Sequence, residues 1–471
     1  MANPKNSELE VNLAQPVKSL VKLAPVFVAS NATVREAAEQ MQRARIGSIL
    51  VATDPPGILT DRDLRARVLA ANHGPGTSVS QVMTRPLITI DSDAPAFRAL
   101  RLMIDENIHH LPLVEEGKIV GIISATDLLA QQANHPIYLR GFIDRLEDAA
   151  AIGNYAAQIV ALVKTLFEGE LGALQISQIV SGLNDALVKR LVQLSERALG
   201  GAPAPYAWIV FGSEGRLEQT LLTDQDNALV FSAETNDCRP YFDALAKRVV
   251  DGLIQAGFPP CPGGFMATRW CKPLAEWLEL FDQWIRLPEP QALLDASIFF
   301  DFRAVAGSLS LEPLETVITS AQDQKRFLAH MLNGALAFRP ALGFFNRLRS
   351  ENGKIDIKEN GIAPIVGMAR VAALAAGSRE RSTLERLRVA AVNGSVIHRE
   401  SSEVLAEMMP FLLRARLRAQ LTAWQKNRPL DNYILLTDIS GLERRHLREY
   451  FIFVKRLQED LRAIWRVDSL G

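Results

Sequence analysis

The stretch Gly57-Ile-Leu-Thr60-Asp-Arg-Asp63-Leu decides the N-terminal fold, because it recurs as Gly121-Ile-Ile-Ser124-Ala-Thr-Asp127-Leu, 64 residues along the chain. Upstream of each copy lie an amphipathic pattern and a short apolar run. These are Thr33–Met41 with Ser48–Ala52, and Ala94–Glu106 with Leu111–Val114. A repeat of this kind predicts two β-α-β-β-α units, and Thr33, followed by Glu36, is expected to cap the first helix.

The repeated motif places a hydroxyl at the start of a helix and a carboxylate three residues later. Thr60 and Ser124, with nearby N–H groups, could hold a phosphate at the helix N-terminus. Asp63 and Asp127 could accept hydrogen bonds from a ribose diol. The alternative is that both pairs only cap their helices, which would be preferred for a single copy. Two copies in register favour a nucleotide site.

With these motifs, residues 17–135 resemble a tandem pair of cystathionine-β-synthase (CBS) domains. The resemblance implies an adenine-nucleotide-sensing module in which Asp63 and Asp127 contact the ribose. It also implies a homodimer formed through the CBS pair.

A second motif runs from Phe211 to Val230, FGSEGRLEQTLLTDQDNALV. An apolar strand leads into Gly212-Ser213, a turn whose N–H groups and hydroxyl suit a triphosphate. Asp224 is predicted to open a second strand, so that Asp224 and Asp226 share one face and suit Mg²⁺ or Mn²⁺. Arg216 and Glu218 are candidates for phosphate binding and loop orientation. Taken singly, these features also fit a turn, a solvated strand end and a surface pair.

This combination resembles the polymerase-β-like nucleotidyltransferase superfamily, and most of all the N-terminal domain of bacterial protein-PII uridylyltransferases. The C-terminal part, with Lys354–Val366 and Thr383–Leu387, is similar to the substrate-binding domain of CBS-fused bacterial relatives. The resemblance implies transfer of a nucleoside monophosphate from a metal–NTP complex to an acceptor. The implied acceptor is a protein side chain, such as one on a PII-like regulator.

Two departures from that family matter. The strand that should carry a third carboxylate is expected near Phe258–Met266, which contains no acidic residue. Asp301 is the substitute candidate, although it could instead pair with Arg303. No His-Asp dipeptide of the kind found in the family's hydrolase domain occurs, so no removal activity is expected. A non-catalytic nucleotide-sensing protein therefore stays open as the alternative.

The 471 residues are 48% hydrophobic and 22% charged, as in an ordinary globular protein. The net charge of −1 argues against an RNA-tailing enzyme and against nucleic acid as a partner. Three cysteines suggest a reducing, cytoplasmic setting, and Cys261 and Cys271 read as buried or wall-forming residues rather than zinc ligands. Trp270, Trp277 and Trp284, seven residues apart, predict core packing. No apolar run reaches the ~20 residues that span a membrane.

The predicted fold is a multidomain α/β protein with five parts. They are an N-terminal tail (1–16), the CBS pair (17–135), a helical connector (136–200), the nucleotidyltransferase domain (201–311) and a helical C-terminal domain (312–471).

Overall fold

The computed structural model describes residues 13, 15–21, 24–128, 136–153, 155–221, 224–232, 236–394 and 396–466. Most of the predicted tail and the last residues of the predicted CBS pair lie outside these ranges. The chain divides into two compact units, Met1–Arg140 and Gly141–Gly471. Among the described helices, none has the length and apolar character to cross a membrane.

The first unit contains the two predicted β-α-β-β-α repeats. Each repeat builds a three-stranded sheet in which the first two strands are parallel and the last two antiparallel. The elements are β1 (Phe27–Ala29), α1 (Val34–Ala44), β2 (Ser48–Ala52), β3 (Gly57–Thr60), α2 (Asp61–Asp63, continued by a π-helical segment, Leu64–Leu69), α3 (Val79–Val82), β4 (Ile90–Asp91), α4 (Ala96–Asp105), β5 (His110–Glu115), β6 (Lys118–Ser124) and α5 (Ala125–Leu128).

Helix α1 shows why the local sequence folds as predicted. The Thr33 hydroxyl accepts a hydrogen bond from the Glu36 N–H, and the Glu36 carboxylate accepts one from the Thr33 N–H at 2.7 Å. This reciprocal cap satisfies donors that a helix start otherwise leaves free. The helix then buries Ala37 and Met41 against the strands, where Ile49 is also fully buried.

The second unit begins within α6 (Pro136–Arg145). A mixed four-stranded sheet, ordered β10-β7-β8-β9, forms its first half. The elements are α7 (Tyr155–Glu168), α8 (Ala173–Leu199), β7 (Tyr206–Val210), α9 (Gly212–Gly215), β8 (Asn227–Phe231), α10 (Arg239–Gln255), β9 (Cys271–Pro273), α11 (Leu274–Arg286), α12 (Pro290–Phe299) and β10 (Arg303–Gly307).

Helices α7 and α8 do not form the separate connector predicted over 136–200. Helix α8 packs against α10 and β10, so it covers the sheet. The Tyr155 hydroxyl donates to the Asn184 side chain at 2.8 Å, and Asn184 donates to Gln219 at 2.9 Å. The two helices therefore support the loop that follows β7. Their apolar periodicity predicts helices but not the surface that they bury.

The strand expected near Phe258–Met266 is also misplaced. That segment is a loop, and the strand parallel to β8 is β9, which begins at Cys271. The spaced tryptophans behave as predicted. Trp270, Trp277 and Trp284 surround Phe299, with ring centroids 4.4, 5.3 and 5.5 Å from it.

The C-terminal half is largely helical, as predicted, and α14 to α17 are packed in chain order. It also contains a two-stranded antiparallel sheet, β11-β12, that the sequence pattern does not indicate. The elements are α13 (Glu312–Thr319), α14 (Lys325–Ala337), β11 (Lys354–Asp356, followed by a π-helical turn, Lys358–Ile362), α15 (Ala363–Ala375), α16 (Thr383–Asn393), α17 (Arg399–Gln425), β12 (Tyr433–Leu435) and α18 (Gly441–Trp465).

Candidate functional site

The turn after β7 brings backbone close to a carboxylate. Strand β7 is buried along its length and ends at Val210. Two residues later, α9 begins at Gly212, whose φ of +58° is disfavoured for residues with a side chain. A Cβ atom at Gly212 would lie 2.9 Å from the Asp226 Oδ2 atom. The Phe211 N–H donates to the Asp226 carbonyl at 3.1 Å. Glycine at this turn thus lets the Asp226 carboxylate lie against Gly212.

Asp224 and Asp226 meet at one point, although not in the way predicted. Strand β8 begins at Asn227, so neither aspartate is on the strand. Their carboxylates nevertheless lie together with the Cys261 thiol, with one ligand atom of each residue within 4.8 Å of the others. The two carboxylates converge because of the path of this irregular segment and not because of strand alternation.

Cys261 is the group that sequence reasoning missed, because no local spacing links it to residues 35 positions earlier. The loop that carries it is joined to the Asp-x-Asp segment by hydrogen bonds. The Gln225 side chain donates to the Phe258 carbonyl at 3.1 Å, and the Asn227 side chain accepts from the Ala267 N–H at 2.9 Å. These bonds hold the buried Cys261 beside Asp226.

The electrostatics of the pair favour a bound cation. Burial, followed by the charge of Asp224, raises the pKa of Asp226 to about 7. No lysine or arginine of the described residues lies within ion-pair distance of either aspartate. Two oxygen ligands that repel each other fit a hard divalent ion such as Mg²⁺. Burial raises the pKa of the Cys261 thiol to about 11, so it is a neutral neighbour at pH 7.

Asp301, the candidate third carboxylate, is fully buried and is bound by three arginines instead of joining the pair. Arg370 donates to both of its oxygens at 3.0 and 2.6 Å, Arg386 donates at 2.7 Å, and Arg216 donates to Oδ2. Burial alone would raise the pKa of Asp301, but these cations hold that pKa well below its usual range. Arg303 does not pair with Asp301, since its guanidinium binds Asp185.

Arg216 and Glu218 belong to the same network. The Arg216 Nε donates to Glu218 at 2.8 Å. Glu218 also accepts from the N–H and hydroxyl of Thr383 at 2.7 and 2.9 Å. Both residues therefore connect the turn after β7 to α15 and α16. Arg216 still acts on Asp226 through its charge.

In the CBS unit, both predicted pairs form helix caps. The Thr60 N–H and hydroxyl donate to Asp63 Oδ2 at 3.0 and 2.7 Å. The Ser124 N–H and hydroxyl donate to Asp127 Oδ2 at 2.9 and 2.5 Å. Asp63 Oδ1 also lies 3.3 Å from the Arg67 Nε. The capping interpretation thus describes the structure, and ligand binding by these residues stays a prediction.

Several relatives match part of the chain. The CBS domain-containing protein YhcV of Bacillus subtilis is 32% identical over 121 residues, which cover 25% of this chain and 86% of YhcV. CBSCBSPB2 of Arabidopsis thaliana is 32% identical over 169 residues, 34% of this chain and 30% of that protein. The uncharacterized protein MK0525 of Methanopyrus kandleri is 34% identical over 102 residues, which cover 21% of this chain and 52% of MK0525. The chain thus spans about a third of CBSCBSPB2 and half of MK0525.

Solved structures match about a quarter of the chain. An uncharacterized conserved protein from Pyrococcus horikoshii is 33% identical, with 25% of this chain and 91% of that chain covered and a TM-score of 0.24. The CBS domain protein PAE2072 from Pyrobaculum aerophilum, solved in complex with AMP, is 28% identical. The match covers 26% of this chain and 95% of that chain, with a TM-score of 0.23.

Three family models match successive parts of the chain. "CBS domain" matches residues 17–70 and 79–134. "Putative nucleotidyltransferase DUF294" matches 157–291, which includes most of α7, all of α8 and the Asp-x-Asp segment. "Putative nucleotidyltransferase substrate binding domain" matches 325–464. The chain therefore belongs to the CBS domain family, and it joins its CBS pair to a DUF294 putative nucleotidyltransferase domain and that family's putative substrate-binding domain.

Proposed function

We propose that the protein transfers a nucleoside monophosphate from an NTP to an acceptor hydroxyl and releases pyrophosphate. The observation that carries this proposal is the Asp224–Asp226 pair beside the Gly212-Ser213 turn, within a domain matched by a nucleotidyltransferase family model. In the reaction the acceptor oxygen forms a bond to the α-phosphorus as the bond to pyrophosphate breaks.

The residues have separate roles in this proposal. Asp224 and Asp226 hold the metal ion, which when bound neutralises charge on the phosphates. The open backbone at Gly212-Ser213 receives a phosphate next to the pair. Arg216 and Glu218 orient the turn through Asp301 and Thr383. Asp301 serves as a buried counter-ion, because three guanidinium groups occupy its oxygens.

The acceptor and the regulation rest on sequence resemblance. The acceptor is a protein side chain, such as one on a PII-like regulator, by analogy with the protein-PII uridylyltransferases. The CBS pair binds an adenine nucleotide and joins two copies into a homodimer, for which light scattering would show about twice the chain mass of 51.9 kDa.

A label-transfer assay tests the reaction. It uses each of the four α-labelled NTPs with Mg²⁺ or Mn²⁺, a cytosolic extract as acceptor source, and native protein beside Asp224→Asn and Asp226→Asn. Asp251→Asn, at an exposed aspartate on α10 that pairs with Lys247, is the matched control. We expect label on a discrete acceptor with native protein and the control, and none with the two site variants. Equal transfer by all four proteins would refute the assignment.

One observation favours a second function, that of a nucleotide sensor without catalysis. Among the described residues, the third group at the aspartate pair is a thiol and not a carboxylate. Metal-dependent NTP binding that Asp224→Asn abolishes, without pyrophosphate release under any condition tested, would support this alternative.

A further inference from the structure

Two cations of the C-terminal half lie near the segment that carries the aspartate pair. The Leu221 N–H, three residues before Asp224, donates to the Gln420 side chain on α17 at 3.2 Å, and Gln420 lies one turn after Arg416. Lys358 begins the π-helical turn after β11, and Arg416 lies on α17. Asn432, just before β12, positions both: its carbonyl accepts from the Ile357 N–H at 3.0 Å, and its side chain accepts from the Arg416 Nε at 3.0 Å. The β11-β12 sheet thus holds the two cations side by side.

The interactions of these two cations with carboxylates act only at a distance. Neither makes an ion pair within 4.0 Å among the residues that the structure describes, although Arg416 is only 5% exposed. Burial, partly offset by Asp356, lowers the pKa of Arg416 to about 10, and Arg216 lowers it further. The Lys358 side chain stays accessible to solvent, as expected for a group on a cleft wall.

A buried, unpaired cation beside a second cation is unfavourable in the free protein. Asp224 and Asp226 stabilise Lys358 through their charge, and Asp224 stabilises Arg416, but neither aspartate lies within ion-pair distance of them. An acidic pair and a basic pair that interact without forming ion pairs suit a ligand that carries several negative charges and brings a divalent cation. A polyphosphate has this chemistry, and Lys and Arg are its usual protein partners.

We propose that Lys358 and Arg416 bind the polyphosphate of the nucleotide, so that the substrate bridges the transferase and C-terminal domains. The inference rests on the proposed function only in taking this polyphosphate to be that of the NTP substrate. It assigns the C-terminal domain a part in nucleotide binding, beyond any part in presenting the acceptor.

Calorimetric binding of Mg²⁺–tripolyphosphate, which lacks base and ribose, tests the inference without catalysis. The variants are Lys358→Gln, Lys358→Arg and Arg416→Lys, each with a melting curve to verify folding. Lys354→Gln is the matched control, because Lys354 is exposed on β11 and lies over the Tyr433 ring at 6.0 Å. Loss of a charge-assisted contact should weaken binding by about ten- to a hundredfold in Lys358→Gln.

The expected pattern is weak binding by Lys358→Gln, recovery with Lys358→Arg, weakening by Arg416→Lys, and native affinity for Lys354→Gln. The dependence of affinity on salt should be shallower for Lys358→Gln than for native protein. Folded Lys358→Gln and Arg416→Lys proteins that bind within twofold of native would overturn the inference. If binding depends on Lys358 but no label is transferred, this inference is retained and the proposed transferase activity is refuted. If the native protein transfers label but both variants bind tripolyphosphate as the native protein does, the transferase activity is retained and this inference is refuted.

Discussion

Asp301, which is fully buried, and Asp226, which is half-buried, are two aspartates in opposite electrostatic settings. Asp301 is bound by three arginines, whereas Asp226 is next to Asp224 and lacks an ion-pair partner among the described residues. Removing a charge that compensates buried cations is costly, whereas removing one of two repelling charges is not. The same substitution at the two positions should therefore have opposite effects.

We expect Asp301→Asn to lower the free energy of unfolding by about 3–5 kcal/mol, because three arginines lose their counter-ion. Asp226→Asn should leave the melting temperature unchanged or higher in metal-free buffer, while it abolishes label transfer. Melting curves followed by circular dichroism separate the two. If Asp301→Asn has the same melting temperature as the native protein, the counter-ion role of Asp301 is wrong.

Glu214 predicts a pH effect on stability. Burial raises the pKa of Glu214 from 4.5 to about 8, and Asp185 adds to the shift. Between these two values the folded protein keeps a proton that the unfolded chain has lost. Stability therefore falls as pH rises from about 4.5 to 8, at a limiting slope of about 1.4 kcal/mol per pH unit.

Glu214→Gln mimics the protonated form and removes this loss. The variant should match native protein near pH 5 and exceed its melting temperature increasingly toward pH 8, measured with a chelator present. Glu279→Gln, on the exposed side of α11, serves as the control that should show no such trend. A difference in melting temperature that does not change with pH would contradict the assignment.

The caps at α2 and α5 decide how the CBS motif should be tested at the level of the element. Since Asp63 and Asp127 cap these helices, alanine substitution removes a cap, at a cost of about 1 kcal/mol, as well as any ribose contact. Asparagine keeps a capping oxygen but loses the charge.

We expect Asp63→Asn to melt within a few degrees of native protein yet bind AMP or ATP at least about tenfold more weakly, since a charge-assisted bond to ribose is lost. Asp93→Asn, at an exposed aspartate of the second repeat, is a suitable control. Titration calorimetry and melting curves on the same samples give both quantities. Unchanged nucleotide affinity in Asp63→Asn would leave only the capping role.

For the whole molecule, domain order suggests that the CBS pair regulates transfer. An adenine nucleotide bound to the CBS unit should change the rate or NTP affinity by about 5- to 150-fold, the usual range of allosteric coupling. Transfer is measured with and without AMP, in native protein and in an Asp63→Asn/Asp127→Asn double variant. Transfer that AMP and ATP do not change in either protein would refute the link.

The sequence by itself determined the elements whose signals are local. The 64-residue repeat, the Thr33 cap and the strand leading into Gly212 follow from periodicity and short-range hydrogen bonding, which act within a few residues. The tertiary structure alone decided which distant residues meet. It brings Cys261 to the Asp224–Asp226 pair and places three arginines on Asp301.

It also brings α17, which carries Arg416, to the segment before the aspartates, and it packs α8 against the sheet. These contacts depend on how complete elements bury their surfaces against one another. Because a buried charge is stabilised by whatever opposite charge the packing supplies, no spacing in the chain reveals it. The carboxylate pair was therefore predictable from adjacent residues, whereas the cations around it were not.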